Sequence, residues 1–176
     1  MSTNSPKHHE RPPRPPLGDV ARSMLGGCLG IGLIGVVLQQ GFNDHDMILM
    51  AGSFGASAVL VYGVPSSPLA QPLAVIFGHV LSALVGVTIF MIIGEANWIA
   101  AGLAVALAIG VMQLTRTVHP PGGATALIAV VGSPDIHALG YSYVLNPILF
   151  GVVVLVSVAL VTNNLMSQRK WPVFWI

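Results

Sequence analysis

Long apolar segments alternate with short polar ones along this chain, and they lack the polar face that a surface helix of a soluble protein carries. Residues 23–39, 72–94, 98–114 and 143–162 contain no Asp, Glu, Lys or Arg. Each is close to the roughly 20 residues with which an α-helix crosses a hydrocarbon core of about 30 Å. This pattern predicts four membrane-spanning helices.

Two further segments, residues 47–64 and 115–132, are mostly apolar but are interrupted by glycine or proline. In the second, Pro120 and Pro121 precede GGATALIAVVG. A proline pair cannot lie inside a helix but suits its first turn. We therefore expect a helix from near Pro121 to about Gly132, which at about 1.5 Å per residue spans about half a membrane.

An internal duplication accounts for this layout. GASAVL at residues 55–60 matches GATALI at residues 123–128, and IGVVLQ at residues 34–39 resembles IGVMQ at residues 109–113. After the first motif each copy has a proline loop, an amide–proline pair and a Phe-Gly pair. These pairs are Gln71-Pro72 and Phe77-Gly78 in the first copy, and Asn146-Pro147 and Phe150-Gly151 in the second. The predicted repeats are residues 23–94 and 98–163, each with a long helix, an interrupted segment and a long helix.

The number of crossings depends on the interrupted segments. If they cross, the protein has about six membrane segments in a 3+3 inverted repeat; if they dip and return, it has four spans plus two re-entrant segments. Six crossings place Arg116, Arg169 and Lys170 on the side of the basic amino terminus, as the positive-inside rule requires, whereas four move Arg116 to the other side. We therefore expect an all-α polytopic membrane protein with six segments, of which the second and fifth are broken (half) helices.

Composition leaves little room for a soluble domain, because 54% of the residues are hydrophobic and 7% are charged, against about 25% charged in an ordinary soluble domain. Residues 1–22, rich in proline and charge, are expected to be a disordered cytoplasmic tail. Residues 23–163 are the transmembrane domain, and residues 164–176 a short basic and aromatic tail. We expect a bacterial inner (plasma) membrane, both termini cytoplasmic, and a homo-oligomer that buries helix faces in the bilayer. The basic residues form no continuous face, so no nucleic-acid partner is expected.

The two breaks should place two helix amino ends near the bilayer midplane. Such ends carry free N–H groups and about half a positive charge, which suit a small anion. The residues concerned are Ser53, Gly55 and Ser57 in the first segment, and Pro120, Pro121, Gly122, Gly123, Ala124 and Thr125 in the second. The alternative is that these small residues only let the helices pack closely.

Three ionisable residues complete the predicted site. His119 precedes the proline pair and could donate to an anion, carry a coupled proton or only cap a kinked loop. His79 lies inside an apolar span, where it either lines the path or bonds a neighbouring helix. Arg116 is a counter-ion or a marker of the membrane interface.

Three motifs resemble the HPP family of integral membrane proteins: TVHPPGGATALIAVVG at residues 117–132, GSFGASAVL at 52–60 and SPLAQP at 67–72. Members of that family in cyanobacteria and chloroplast envelopes are nitrite transporters, so the resemblance implies transport of a small anion. The usual family description has four spans, which differs from the six expected here.

The first functional hypothesis is therefore a transporter or channel for a small inorganic anion, with nitrite implied by the resemblance. The alternatives are a structural or assembly subunit and a membrane enzyme that uses its histidines. Catalysis is disfavoured, because the four apolar spans hold no Asp or Glu and the chain has no HExxH pair. We expect no enzymatic activity and no cofactor.

Overall fold

The computed structural model describes residues 13–165 and 170–175, and the regular structure in this part of the chain is helical throughout. The α-helices are α1 (Leu17–Leu38), α2 (Asp44–Ala58), α3 (Pro72–Ile93), α4 (Trp98–Leu114), α5 (Pro120–Val131), α6 (Pro134–Leu139) and α7 (Phe150–Thr162). Two π-helical turns, Val59–Gly63 and Val144–Leu149, continue α2 and lead into α7, and a 3-10 turn covers Pro68–Ala70. The predicted all-α polytopic fold is confirmed.

Hydrogen bonds at one end of the bundle, the tail end, join the start of α1 to the ends of α2 and α7. The Ser23 hydroxyl, near the start of α1, donates to the carbonyl of Tyr62 at 2.6 Å. The Asn163 amide, just after α7, donates to the carbonyl of Val61 at 3.0 Å. The described beginning and end of the chain therefore lie at the same end of the bundle.

The opposite end, the distal end, holds the start of α2 and the end of α5. Asn43, which precedes α2, donates to the hydroxyl of Ser133, which follows α5, at 3.1 Å. Because α2 and α5 both reach this end and short loops join consecutive helices, the six long segments alternate in direction. The second group of three then runs opposite to the first, as an inverted repeat requires.

Helix length separates these six segments into two groups. Leu17–Leu38, Asp44–Gly63, Pro72–Ile93 and Val144–Thr162 are long and apolar enough to cross a membrane, whereas Trp98–Leu114 and Pro120–Val131 are shorter. The helix predicted at residues 98–114 is present as α4, although it is shorter than the other three predicted spans, and the segment from Asp44 is also long enough to cross. At 17 and 12 residues, α4 and α5 reach about 25 Å and 18 Å.

The two predicted helix breaks have different outcomes. The second is confirmed, because α5 starts at Pro120 with both prolines in its first turn and ends at Val131. The first is wrong, because α2 begins at Asp44 and runs without interruption past Ser53 and Ser57. A helix-interior glycine costs about 1 kcal/mol relative to alanine, and the cap that Asn43 provides offsets a similar amount.

The closest helix contact in the interior joins α3 and α5. A methyl group added at Gly78 would lie 2.6 Å from Cβ of His119, and one added at Gly122 would lie 2.5 Å from the carbonyl oxygen of Gly78. Further along α3, one added at Gly86 would lie 2.5 Å from the carbonyl oxygen of Ala126. Small residues at Gly78, Ser82 and Gly86 thus form one stripe that brings the two backbones together. This contact fixes the position of His119 beside α3.

Candidate functional site

Two histidines meet inside the bundle. His79, on α3, and His119, directly before α5, are both fully buried. Their ring centroids lie 5.0 Å apart. Of the two roles predicted for His79, the bond to neighbouring helices is the one that this structure contains.

The hydroxyl of Ser57, on α2, lies between the two rings. Its oxygen is 2.7 Å from Nε2 of His79 and 2.9 Å from Nε2 of His119. Ser57 is fully buried, so this hydroxyl is the direct link between the imidazoles.

Two more hydroxyls extend the chain beyond His79. Nδ1 of His79 lies 2.7 Å from the hydroxyl of Thr125 on α5. That hydroxyl lies 3.0 Å from the hydroxyl of Ser53 on α2, which is also 3.0 Å from the carbonyl oxygen of Pro121. We call Ser53, Thr125, His79, Ser57 and His119 the polar chain.

At its other end, the polar chain reaches the loop before α3. Nδ1 of His119 lies 2.7 Å from the carbonyl oxygen of Leu69. A carbonyl oxygen only accepts hydrogen bonds, so the proton is on Nδ1 of His119. His119 therefore holds the start of α5 to this loop at the tail end, and in the neutral ring its Nε2 is an acceptor.

The polar chain has donors and acceptors but no hydrogen-bonded charge. Within residues 13–165 and 170–175, no carboxylate, ammonium or guanidinium group bonds to either imidazole; the contacts are to Ser57, Thr125 and the Leu69 carbonyl. Buried polar groups at membrane depth are costly unless paired. Here each imidazole nitrogen has a partner, so the network is satisfied in the closed, packed state.

The start of α5 offers fewer free amides than the sequence suggested. Pro120 and Pro121 have no N–H group, and the N–H of Gly122 donates to the carbonyl of His119 at 2.8 Å. Gly122 itself serves the close contact with α3, which is the packing role considered as the alternative. Side-chain donors therefore replace backbone donors as the main polar groups of this site.

The structure brings together only part of the predicted residue set. Ser53, Ser57, His79, His119 and Thr125 form the polar chain, with Pro121 and Gly122 beside it. The remaining predicted residues lie outside it: Arg116 and Pro120 are exposed, and Gly55, Gly123 and Ala124 are half-buried. A methyl group added at Gly55 would meet nothing within 4 Å, so this glycine faces away from the polar chain.

Sequence reasoning missed a second buried polar cluster, at the distal end. Asp46, on the first turn of α2, is fully buried and accepts from the backbone N–H of Ser133 at 3.0 Å and from the Asn43 amide at 2.9 Å. The Ser133 hydroxyl also donates to it. We call Asn43, Asp46 and Ser133 the distal clasp. These residues tie the start of α2 to the end of α5. The Asn-Asp-His-Asp run at residues 43–46 carried the helix-start signal that could have located it.

Two cavities lie away from the histidines. A cleft of about 770 Å³ opens at the tail end, where its lining includes Arg22, Tyr62, Asn163, Lys170 and Trp171. A smaller apolar cavity of about 40 Å³ lies between α1 and α2. Neither is lined by His79 or His119, so the polar chain is enclosed by packed side chains.

Comparisons with known proteins give one family. The family model described as "HPP, transmembrane region" matches residues 12–172. Two transmembrane proteins of Dictyostelium discoideum are similar: one is 41% identical over 169 residues, which cover 94% of this chain and 59% of the relative, and the other is 40% identical over 167 residues, which cover 93% and 53%. The chain therefore spans little more than half the length of these curated relatives. No solved structure matches it.

Proposed function

Because the chain belongs to the HPP transmembrane family, we propose that it is a membrane transporter or channel for a small inorganic anion, with nitrite as the first candidate. The observation that carries this proposal is the polar chain, which is buried between the two repeats of a membrane-embedded helix bundle. Ionisable residues inside membrane segments are costly, and they commonly mark substrate or proton pathways. This placement supports transport rather than catalysis.

The chemistry of the polar chain favours an anion over a cation. Imidazole N–H and hydroxyl groups from Ser57, His79, His119 and Thr125 can donate hydrogen bonds to small oxyanions. Hard cations bind mainly to carboxylate and carbonyl oxygens, and no carboxylate bonds to these side chains in the described residues. Nitrite, formate and nitrate are all singly charged oxyanions, which matches the chemistry of this donor set.

Charge at the tail end supports the same proposal. Arg14, Arg22, Arg116 and Lys170 all lie at this end, and the described part of the distal end has no Lys or Arg. The positive-inside rule favours a cytoplasmic tail end, which supports the proposal that both termini lie inside a plasma membrane such as the bacterial inner membrane. A positive surface also raises the local concentration of an anionic substrate.

Access to the polar chain requires a second conformation. In the present one the two histidines, Ser57 and Thr125 are fully buried. Ser53 and Ser57 lie on α2, whereas their partners lie on α3 and α5. We propose that α2 moves relative to the α3–α5 pair, which would open the polar chain to one side of the membrane and then to the other.

Nitrite uptake into proteoliposomes tests the proposal. We expect saturable uptake above that of empty liposomes, with formate and nitrate as competitors. His119→Ala should reduce uptake by about tenfold or more, because it removes the link between Ser57 and the Leu69 carbonyl. His45→Ala is the matched control, since the His45 side chain is 64% exposed at the distal end. Equal uptake by empty liposomes and by vesicles with monodisperse protein would contradict anion transport.

A further inference from the structure

The polar chain has one direction of hydrogen bonding, and the carbonyl of Leu69 sets it. Nδ1 of His119 donates to that carbonyl, so Nε2 of the neutral ring must accept. Its partner is the Ser57 hydroxyl at 2.9 Å, which therefore donates to His119. The single hydroxyl proton of Ser57 is then directed to His119 at 2.9 Å rather than to the backbone carbonyl of Ser53, which lies farther away at 3.2 Å.

The same argument applies to the residues of the polar chain beyond Ser57. With its proton directed to His119, the Ser57 oxygen can only accept from Nε2 of His79 at 2.7 Å. Nδ1 of His79 must then accept from the Thr125 hydroxyl at 2.7 Å. The Ser53 hydroxyl donates to the Pro121 carbonyl at 3.0 Å, and its oxygen also lies 3.0 Å from the Thr125 oxygen. The donors from Thr125 to His119 thus all point toward the Leu69 loop.

We propose that the part of the polar chain from His79 to His119 is a proton relay, through which the protein moves a proton together with its anion. This inference rests on the proposed function for its cargo, but the relay itself rests on the hydrogen bonds. A proton that travels with an anion leaves the buried site neutral overall, which avoids the large cost of a lone charge in a low-dielectric interior.

The transfer balances at every step. The Thr125 hydroxyl passes its proton to Nδ1 of His79 and takes up the entering proton in its place, and the proton on Nε2 of His79 passes to the Ser57 oxygen. The Ser57 hydroxyl proton passes to Nε2 of His119, and the proton on Nδ1 of His119 leaves toward the Leu69 side. One proton enters, one leaves, and each new N–H or O–H bond replaces one that breaks.

The geometry also explains why such a relay would not leak continuously. After transfer, Nδ1 of His119 is an acceptor that faces the carbonyl oxygen of Leu69, another acceptor. That arrangement is unfavourable while the two groups remain in contact. Release of the proton therefore requires His119 and the loop before α3 to separate, which ties proton movement to the conformational change that moves the anion.

The surroundings of the relay add no competing charge. Phe54, on α2, lies 5.9 Å from His79 between ring centroids. The Tyr143 hydroxyl, before α7, donates to the backbone carbonyl of Thr125 at 3.1 Å. Among the described residues, no Asp, Glu, Lys or Arg side chain hydrogen-bonds to a member of the polar chain. The two imidazoles are therefore the titratable groups of the relay itself.

Three serine variants separate a relay from a packing role. Ser57→Ala removes the hydroxyl that joins the imidazoles. Ser57→Thr keeps this hydroxyl, on the type of residue that occupies the equivalent position of the second repeat, Thr125. Ser82→Ala is the matched control, because Ser82 is a buried serine one turn from His79 whose hydroxyl has no hydrogen-bond partner in the structure. If Ser57→Ala does not give monodisperse protein, Thr125→Val interrupts the same chain on the other side of His79.

The experiment measures nitrite uptake and internal pH in the same proteoliposomes, with a trapped pH-sensitive dye and with empty liposomes subtracted for passive entry of nitrous acid. A second arm imposes a membrane potential without nitrite. We expect nitrite-dependent proton entry in the wild type, Ser57→Thr and Ser82→Ala, and a fall of about tenfold in Ser57→Ala. Proton entry in Ser57→Ala equal to that of the wild type would overturn the relay.

The remaining outcomes distinguish the relay from the proposed function. Nitrite uptake that leaves the internal pH unchanged would overturn the relay and keep anion transport. Protein-dependent proton movement under a membrane potential, lost in Ser57→Ala, with no nitrite uptake, would support the relay and remove the anion proposal. The absence of both nitrite uptake and proton movement would overturn both proposals. Nitrogen-15 NMR of the histidines gives an independent readout: the relay requires protonated Nδ1 in His119 and protonated Nε2 in His79, and the opposite tautomers would overturn it.

Discussion

Ser57 and Thr125 hydrogen-bond to opposite nitrogens of the His79 ring, each at 2.7 Å. The two hydroxyls occupy equivalent positions in the duplicated motifs at residues 55–60 and 123–128. One imidazole is therefore held by the same position of both repeats. The site exists only where the repeats meet, so any movement of one repeat against the other changes it directly.

Replacement of Thr125 tests this shared contact. Thr125→Val keeps the shape of the side chain but leaves Nδ1 of His79 and the Ser53 hydroxyl without their common partner. An unsatisfied buried polar group costs about 1–3 kcal/mol. We expect a lower unfolding temperature in detergent and a loss of most nitrite uptake, whereas Thr125→Ser should retain both. Full uptake in Thr125→Val would show that this hydroxyl has no part in transport.

The contact of α3 with α5 predicts a strong effect at Gly78. In Gly78→Ala the new methyl would lie 2.6 Å from Cβ of His119 and 3.0 Å from the carbonyl oxygen of Thr117. Overpacking of this kind costs about 1–3 kcal/mol, and here it would displace His119 from Ser57 and Leu69. Gly102→Ala is the control, since a methyl there meets nothing within 4 Å. Thermal unfolding of both variants is the measurement, and equal stability would contradict the close approach.

The distal clasp predicts that Asp46→Asn destabilises the protein. The buried Asp46 carboxylate accepts from Asn43 and from the backbone N–H of Ser133, and hydrogen bonds to charged groups contribute about 1.5–3 kcal/mol. An amide retains one acceptor oxygen and places a donor against the Asn43 amide. Asp135→Asn, in an exposed residue that also contacts Asn43, should cost little. A thermal unfolding temperature that is unchanged in Asp46→Asn would refute this role.

Cysteine labelling tests the six-segment topology. With the lone Cys28 replaced by serine, Arg116→Cys and Glu95→Cys would each introduce a single thiol at opposite ends of the bundle. A membrane-impermeant maleimide added to intact cells should label Glu95→Cys, with Arg116→Cys labelled only after the membrane is permeabilised. Four spans with two re-entrant segments predict the reverse pattern. The two topologies therefore give opposite results in one experiment.

Local signals in the sequence predicted most of the helices. The proline pair indicated the start of α5, and charge-free apolar segments located α3, α4, α7 and most of α1, although α1 begins at Leu17, within the predicted tail. The false break at Ser53 arose because glycines were taken to interrupt the second segment. A glycine costs a helix only about 1 kcal/mol, and the tertiary contact of Ser53 with α5 was not visible in the sequence.

The polar chain could be predicted only in part. Its five members were all identified as candidates, because polar residues in apolar segments are uncommon. Their pairing depends on how α2, α3 and α5 pack, which the near-uniform hydrophobicity of these helices does not specify. Asp46 was not among the predicted site residues. Its neighbours Asp44 and His45 are exposed, and the contact with Ser133 that makes Asp46 the buried position among them depends on tertiary packing.

The repeats share one imidazole, and this makes the interior asymmetric. The position equivalent to His79 in the second repeat, after the matching Phe-Gly pair, is Val152, which is fully buried. Each repeat thus contributes one histidine, His79 in the first and His119 in the second, at positions that are not equivalent. A carrier with such a site can bind its cargo with different affinities from the two compartments and return at different speeds, yet the asymmetry by itself cannot build a gradient. Under the proposed transport function, net accumulation would come from the force that drives the proton or the anion, and the unequal halves would determine only how quickly equilibrium is reached from each direction.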